Sequence, residues 1–315
     1  MTILNTMPAR VLGFDVAKDT ITVFDSLTGS LQTIANRRAA VGALLCGLDR
    51  HCFGVCEPTG GYEVLLLEQL VAAGIACHRA DTVKVKAFIR SFGTLAKTDA
   101  LDARALARYG QERWQRLALF SPADGDQQVL TALVTRRQEL GTLKVAEQNR
   151  AKAPGRDAIN ASCRAMLRVI ARQIARIDAD IDALVKRCQV LARSIAVLQE
   201  LPGVGPRTAI GLAAFMPELG SMTRRQAAAL AGVAPHPKDS GTIRGHRSLR
   251  GGRPHVRTIL FMAALAASRA KGHLSAFFQR LVDNGKKPIV AIAALMRKII
   301  VTLNARLRDD RCKQS

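Results

Sequence analysis

The chain has 315 residues, and its 47 Lys and Arg outnumber its 25 Asp and Glu to give a formal net charge of +22. This length suits about two domains with a sizeable core, so the fold requires neither disulfides nor a structural metal. Because a large positive surplus attracts polyanions, and we find neither an 18-residue apolar run nor a secretion signal, we expect a nucleic-acid partner and no membrane.

The first third of the chain alternates between predicted strands and helices. Short apolar runs predict strands, and apolar spacings of three and four residues predict helices. This order is typical of a mixed α/β sheet. The predicted strands are 11–15, 20–24, 31–35, 52–56 and 75–77, and the predicted helices are 39–48, 62–73 and 98–113.

The middle third carries a heptad pattern. From Leu167 to Leu198, apolar residues recur at alternating intervals of three and four residues, which predicts a coiled-coil seam. The spacing leaves two partners for this seam open. One is segment 129–151 of the same chain, after a turn at Pro154 and Gly155, and the other is a second subunit in a dimer.

The last third is predicted to be helical with basic loops. Residues 201–209 read Leu-Pro-Gly-Val-Gly-Pro-Arg-Thr-Ala, a glycine turn followed by a helix with Pro206 in its first turn. With Gly203 and Gly205, such a turn can point free amides at a phosphate. An ordinary connection between two helices fits the same residues.

A second basic segment follows in residues 238–253. Arg244, Arg247, Arg250 and Arg253 recur at every third position among glycines. This pattern predicts a flexible loop of bidentate phosphate donors that contacts nucleic acid. Ser240 stands near its start in an Asp-Ser-Gly sequence, which by itself is equally typical of a plain turn.

Four acidic residues are candidates for chemistry. Asp15 and Glu57 end predicted strands, and Asp99 and Asp102 share one face at the start of a predicted helix. Four converging carboxylates require cations, and oxygen ligands suit Mg²⁺ or Mn²⁺. Taken singly, each acid also has a plainer interpretation. Asp99, for example, could be a helix N-cap, and Asp102 could be favoured by the helix dipole.

The cysteines do not indicate a disulfide framework. There are seven of them, and the pair Cys52 and Cys56 has no second Cys or His pair to complete a zinc site. We therefore expect reduced thiols in a cytoplasmic protein. Aromatic residues make up only 4% of the chain, so contacts to a nucleic-acid backbone are expected to dominate over base stacking.

Taken together, these motifs resemble the insertion-sequence 110 family of transposases, also described as bridge-RNA-guided recombinases. The resemblance covers nearly the whole chain, and the joint order of the motifs makes it specific. The segments that carry it are 13–18 (Gly-Phe-Asp-Val-Ala-Lys), 57–62 (Glu-Pro-Thr-Gly-Gly-Tyr), 97–104 (Lys-Thr-Asp-Ala-Leu-Asp-Ala-Arg), 201–205 (Leu-Pro-Gly-Val-Gly), 231–235 (Ala-Gly-Val-Ala-Pro), 239–241 (Asp-Ser-Gly) and 284–287 (Asn-Gly-Lys-Lys).

The resemblance implies a three-part chain. Residues 1–120 would form an α/β, RuvC-like domain of the RNase H type, with Asp15, Glu57, Asp99 and Asp102 as its Asp-Glu-Asp-Asp tetrad. Residues 121–196 would form a helical coiled-coil segment. Residues 197–315 would form a mainly α-helical transposase domain with Ser240 as its nucleophile.

The resemblance also implies an activity and partners. The chain would cleave and rejoin DNA through a phosphoserine at Ser240, assisted by Mg²⁺ on the tetrad. Its partners would be double-stranded donor and target DNA, a guide RNA encoded by the element, and further copies of itself, as a dimer or as a tetramer in synapsis. We expect a bacterial cytoplasmic protein that joins the nucleoid when bound to DNA.

Two other functions are compatible with the same residues. A metal nuclease of the junction-resolvase type would use the tetrad with water as its nucleophile, and it would not need Ser240. A non-catalytic DNA- or RNA-binding protein would need neither. Covalent protein–DNA adducts distinguish the recombinase from the nuclease, and metal-dependent cleavage excludes the binding protein.

Overall fold

The chain folds into two compact units, Met1–Ala123 (unit 1) and Asp124–Ser315 (unit 2). The mixed sheet at the N-terminal end and the mainly helical remainder agree with the sequence prediction. The computed structural model describes residues 3–93, 98–122, 124–155, 157–237 and 247–313.

Unit 1 is built on a five-stranded mixed sheet with the strand order β3-β2-β1-β4-β5. The first three strands along the chain pair antiparallel, and β4 and β5 extend the sheet in parallel with β1. All five strands match predicted ones. They are β1 (Arg10–Val16), β2 (Thr20–Asp25), β3 (Leu31–Ala35), β4 (Cys52–Cys56) and β5 (Ala76–Arg79).

Four helices cover the two faces of this sheet. They are α1 (Arg38–Leu45), α2 (Val64–Ala72), α3 (Thr82–Arg90) and α4 (Asp99–Arg113), and a 3₁₀ turn, Trp114–Arg116, follows α4. Sequence reasoning missed α3. Its start carries a recognisable signal, because Asp81 is an N-cap whose side chain accepts hydrogen bonds from the backbone N–H groups of Val83 and Lys84.

Side chains alternate between the two sheet faces, so the sheet separates two apolar clusters. Leu12 and Phe14 belong to the cluster that includes Leu66, Leu67 and Leu70 of α2. The odd-numbered Val11 and the β4 residues Phe53 and Val55 instead pack with residues of α3 and α4, among them Val85, Phe88, Leu106 and Ala107. The face that carries α4 is the one on which the candidate acids lie.

In its described residues, unit 2 is helical apart from one pair of short strands, Pro235–His236 and Ser248–Leu249. These two strands pair antiparallel. The elements are α5 (Gly125–Lys152), α6 (Asn160–Arg187), α7 (Gln189–Gln199), α8 (Pro206–Phe215), α9 (Arg224–Leu230), β6 (Pro235–His236), β7 (Ser248–Leu249), α10 (Pro254–Arg269), α11 (His273–Asp283) and α12 (Pro288–Cys312).

The heptad seam packs within the chain. Leu130 and Val134 of α5 share one buried cluster with Ile170 and Ile177 of α6, which is the intramolecular alternative. The turn between the two helices contains Gly155 at φ +70°. The seam does not follow one continuous helix as the spacing predicted, because Cys188 has an extended backbone and separates α6 from α7.

Helix α12 is the one described helix whose length and hydropathy would allow it to cross a membrane. Its residues Leu295, Ile299, Ile300 and Leu303 are fully buried within the unit 2 cluster. Burial in the core of unit 2 therefore accounts for its apolar character.

Candidate active site

The parallel register of β1 and β4 places Asp15 beside Glu57. The paired positions end at Phe14 and Cys56, and the same register, continued by one residue, would set Asp15 of β1 opposite Glu57, which directly follows β4. Adjacent strands lie about 4.8 Å apart. By the alternation of the strands, both acids lie on the same sheet face as Val11 and therefore on the face that α4 covers.

Helix α4 brings Asp99 and Asp102 to the same edge of the sheet. Gly13 of β1 lies directly beneath the helix, where an added Cβ atom would come within 1.9 Å of the Ala103 carbonyl oxygen. Further along the same helix, a Cβ atom at Gly110 would lie 2.8 Å from methyl groups of Val11 and Val55. The helix thus runs from the carboxyl ends of β1 and β4 toward their starts, and its first turn lies near Asp15.

The cap of α4 removes one plain interpretation of Asp99. The N-cap is Thr98, whose hydroxyl accepts a hydrogen bond from the Leu101 backbone N–H at 3.3 Å. Asp99 is therefore the first residue of the helix, and its side chain is exposed. Neither helix capping nor burial therefore explains why an acidic residue stands at this position.

The four acids share one edge and one face, but they do not close into a compact cluster. Asp15, Glu57 and Asp102 are half-buried, whereas Asp99 is exposed. Among the residues that the structure describes, no three His, Cys, Asp or Glu side chains are arranged to hold a metal ion. Oε1 of Glu57 is buried, whereas the exposed Asp99 carboxylate suits Mg²⁺, because this ion takes one or two carboxylates and keeps several waters.

A buried acid that sequence reasoning missed organises the loop after Glu57. The Glu63 side chain is 3% exposed, and its Oε2 accepts hydrogen bonds from the backbone N–H groups of Thr59 (3.0 Å) and Gly61 (2.9 Å). Burial opposes its ionisation, but these hydrogen bonds outweigh burial and lower the pKa of Glu63. The guanidinium of Arg79 lies 3.6 Å away. A Gly-Gly turn followed closely by an acid is the only sequence signal for this role.

The predicted basic loop divides into residues with different surroundings. Ser240 and Arg244 lie outside the described residues. Arg247 and Arg250 are exposed on either side of β7. Arg253 instead forms a bidentate ion pair with Glu218, with distances of 2.8 and 2.6 Å, so its guanidinium is engaged within unit 2.

The two glycines of the turn before α8 also differ. Gly203 has φ +92°, and a Cβ atom there would lie 2.7 Å from the Ala267 Cβ atom. Gly203 therefore has a packing reason to be glycine. Gly205 is the N-cap of α8, and a Cβ atom there would meet nothing within 4 Å. Of the two, only Gly205 faces open space.

Comparisons with known proteins match both parts of the chain. A family model described as "Transposase IS116/IS110/IS902 family" matches residues 195–279, a range that includes Ser240. A transposase model of the DEDD type, named for IS110, matches residues 12–153, a range that includes all four acids.

Similar proteins come from several bacteria. The pilin gene-inverting proteins of Moraxella lacunata and Moraxella bovis are each 25% identical over 317 residues, which covers 97% of this chain and 98% of theirs. An uncharacterized 43.6 kDa protein of insertion element IS110 from Streptomyces coelicolor is 32% identical over 155 residues, which covers 49% of this chain and 37% of that protein. With two successive transposase models and relatives aligned over nearly its whole length, the chain belongs to the IS110 family of transposases and is an enzyme that recombines DNA.

Proposed function

We propose that this transposase is a metal-assisted serine recombinase, in which an RNase H-like unit 1 binds divalent cations and Ser240 attacks DNA. The main support is the register of the sheet, which gathers Asp15 and Glu57 at the edge where α4 begins with Asp99 and Asp102. The strand order of unit 1, three antiparallel strands extended by two parallel ones, supports the RNase H-like assignment.

The four carboxylates would hold one or two Mg²⁺ or Mn²⁺ ions. When bound, such ions neutralise charge on a phosphate and lower the pKa of an oxygen nucleophile. Two features support rigid positions for these acids: Asp15 lies in the paired strand β1 and Glu57 directly follows β4, and Asp99 and Asp102 begin a helix that contacts the sheet through glycines. Glu63 acts as a positioning residue, because its hydrogen bonds hold the turn that follows Glu57.

Ser240 would carry out a transesterification. Its Oγ forms a bond to the phosphorus, one P–O bond of the DNA strand breaks, and the departing sugar oxygen takes up a proton in place of the one that serine loses. The phosphoserine conserves the phosphoester bond, so a strand hydroxyl can reverse the attack and rejoin the DNA. The family resemblance supports this role for Ser240, as does the transposase model that spans it.

The names of the similar proteins favour an enzyme that rejoins DNA strands over one that only cuts them. The Moraxella proteins aligned over nearly their whole length are named pilin gene-inverting proteins. Inverting a gene requires that cut strands be rejoined in a new order. A water-using nuclease, the second candidate, would leave the strands open.

The partners proposed beyond DNA rest on the family resemblance. They are a guide RNA encoded by the element and additional copies of the chain, as a dimer or as a tetramer in synapsis. The charge of +22 and the exposed Arg247 and Arg250 suit any of these nucleic acids, because they bind phosphates without reading sequence.

The metal assignment is tested by replacing Asp102 with Asn. This change keeps the size of the side chain and removes the charge that cations need. We expect the rate of strand cleavage in Mg²⁺ to fall by at least about a hundredfold. Such a fall corresponds to a rise of about 2.8 kcal/mol in the activation barrier, because each factor of ten in rate equals about 1.4 kcal/mol. Calorimetric titration with Mn²⁺ should show weaker binding.

The matched control is Glu112→Gln, at the other end of the same helix. Glu112 pairs with Arg108 on the surface, so its loss should leave cleavage and Mn²⁺ binding unchanged. Equal cleavage by Asp102→Asn and Glu112→Gln would show that the four acids are not the metal site.

A further inference from the structure

A cavity of about 680 Å³ lies in unit 1 beside the edge strand β5, between α3, α4 and the 3₁₀ turn that follows α4. None of the proposed catalytic residues lines it. Four cationic side chains do, and all four are exposed: Arg79, Lys84, Arg113 and Arg116. Such a concentration of positive charge on one concave surface favours an anionic ligand.

The carboxylate in the lining does not balance this charge. Asp81 is the acid of the cavity wall, and its Oδ1 accepts hydrogen bonds from the backbone N–H groups of Val83 (2.8 Å) and Lys84 (3.3 Å). It is engaged in capping α3 and pairs with none of the four cations within 4 Å among the described residues. Arg79 is already paired with Glu63 at 3.6 Å, so Lys84, Arg113 and Arg116 supply the positive charge that the cavity keeps.

The inner wall of the cavity is aromatic, which is unusual in this chain. The chain has one Trp, two Tyr and ten Phe, and Trp114, Tyr109, Phe88 and Phe92 all lie between α3 and the 3₁₀ turn. Tyr109 and Phe88 line the cavity, with ring centroids 5.2 Å apart in an edge-to-face arrangement. The ring centroid of His78 lies 6.5 Å from that of Tyr109, with an angle of 29° between the two ring planes. Phe88 and Tyr109 are each only 6% exposed, so they offer a base the exposed edges of an aromatic wall rather than free ring faces.

His78 adds a hydrogen-bond acceptor to this wall. Its Nδ1 lies 2.7 Å from the carbonyl oxygen of Ala118, and because a carbonyl only accepts, Nδ1 carries the proton. Burial lowers the pKa of His78, so the ring stays neutral near pH 7. Its Nε2 is then an acceptor, suited to an exocyclic amine or ring N–H of a base.

We infer that this cavity binds one unstacked nucleotide of a single-stranded DNA or RNA segment, with its base against Tyr109 and Phe88 and its phosphate held by Lys84, Arg113 and Arg116. The inference deepens the proposed function, because Tyr109 lies seven residues after Asp102 on α4, about 10 Å along the helix. A strand engaged at the acidic edge would therefore reach the cavity within a few nucleotides.

The test compares two double variants of the full chain that each remove one Lys and one Arg. Lys84→Ala with Arg113→Ala empties the cavity of two cations. The control, Lys86→Ala with Arg90→Ala, removes exposed charges of α3 that do not line the cavity. Binding to single-stranded DNA and RNA oligonucleotides of the same sequence is measured by fluorescence anisotropy across a salt series, in EDTA so that no cleavage occurs.

We expect the first variant to lower the salt-dependence slope by about 0.7 for each phosphate that the removed side chains neutralise, and the control to keep the wild-type slope. Oligonucleotides with one 5-iodouracil should cross-link under ultraviolet light to a peptide that contains Tyr109 or Phe88. Whichever of the two oligonucleotides, DNA or RNA, cross-links more efficiently identifies the nucleic acid that the cavity binds.

Equal slopes for the two double variants, or cross-links confined to peptides outside the cavity, would overturn the assignment. Because cleavage is absent in EDTA, this result is independent of whether Ser240 or water is the nucleophile. A failure here would leave the proposed recombinase chemistry untouched, and a failure of that chemistry would leave the cavity assignment untouched.

Discussion

At the scale of single residues, two glycines let α4 lie directly on the sheet. Gly13 presents no side chain beneath Ala103 and Ala107, and Gly110 presents none above Val11 and Val55. With larger residues at these positions the helix would be held further from β1 and β4. The two acids at the start of α4 would then move away from the two acids at the strand ends.

Gly13→Ala is therefore expected to destabilise unit 1 by at least about 3 kcal/mol and to abolish cleavage, because its Cβ atom meets backbone atoms that cannot rotate away. Trp114 is the single tryptophan and packs on the cluster beneath α4, so urea unfolding followed by its fluorescence reports on unit 1.

Gly42→Ala is the matched control. Gly42 lies within α1, and an added Cβ atom would make only an ordinary contact of 3.8 Å with Gln69. This change should stabilise unit 1 by up to about 1 kcal/mol. If Gly13→Ala unfolded at the same urea concentration as Gly42→Ala, the close approach of α4 would not exist.

The acids themselves show how far residues alone can lead. Their types and their positions at strand and helix ends made Asp15, Glu57, Asp99 and Asp102 candidates, and their role as a metal site stays a prediction. Glu63 and the cavity beside β5 could not be found this way, because their character depends on which neighbours the fold brings together. Glu63 is distinguished by its burial and by the hydrogen bonds that it accepts from backbone N–H groups. Neither property can be read from the spacing of residues in the sequence.

At the scale of elements, periodicity predicted the sheet strands and the apolar stripe of α6, but not the partner of that stripe. Apolar spacing reports which side of a helix avoids water, and any apolar surface of suitable shape satisfies it. The structure supplies α5 as that partner. Helix α3 was missed, although its N-cap Asp81 was present in the sequence.

Packing of α6 on α5 predicts unequal effects of two similar truncations in α6. Ile177 is buried at 8% exposure, so Ile177→Ala should cost unit 2 about 2 to 4 kcal/mol of unfolding free energy. Val169 is 40% exposed, and Val169→Ala should cost less than about 0.5 kcal/mol. Urea unfolding followed by circular dichroism at 222 nm measures both, since unit 2 contains the longest helices. Equal losses would mean that the seam does not face α5.

At the scale of the whole molecule, the chain combines two compact units with different contributions. Unit 1 gathers acids at one edge of a sheet, and unit 2 carries the exposed arginines that flank the segment containing Ser240. Unit 1 has 14 Lys and Arg against 11 Asp and Glu, so almost all of the net charge of +22 lies in unit 2 and attracts nucleic acid there. Composition and motif order predict that the two units have different roles, and this division stays a prediction, because charge and motif order are properties of the chain rather than of its packing.

The central claim is that one serine of unit 2 becomes joined to DNA in a reaction that needs the acids of unit 1. Mass spectrometry of the trapped protein–DNA adduct tests it most directly. The substrate is a plasmid with the gene and its flanking DNA, supplied with Mg²⁺ and transcripts of both flanks, and the reaction is stopped in detergent. Ser248→Ala serves as the control, since Ser248 is the next serine along the chain.

We expect a nucleotide-linked phosphoserine at residue 240 in the unchanged protein and in Ser248→Ala, and no adduct in Ser240→Ala or Asp102→Asn. An adduct that persists in Ser240→Ala, or strand cleavage by Ser240→Ala at the unchanged rate without any adduct, would contradict this claim.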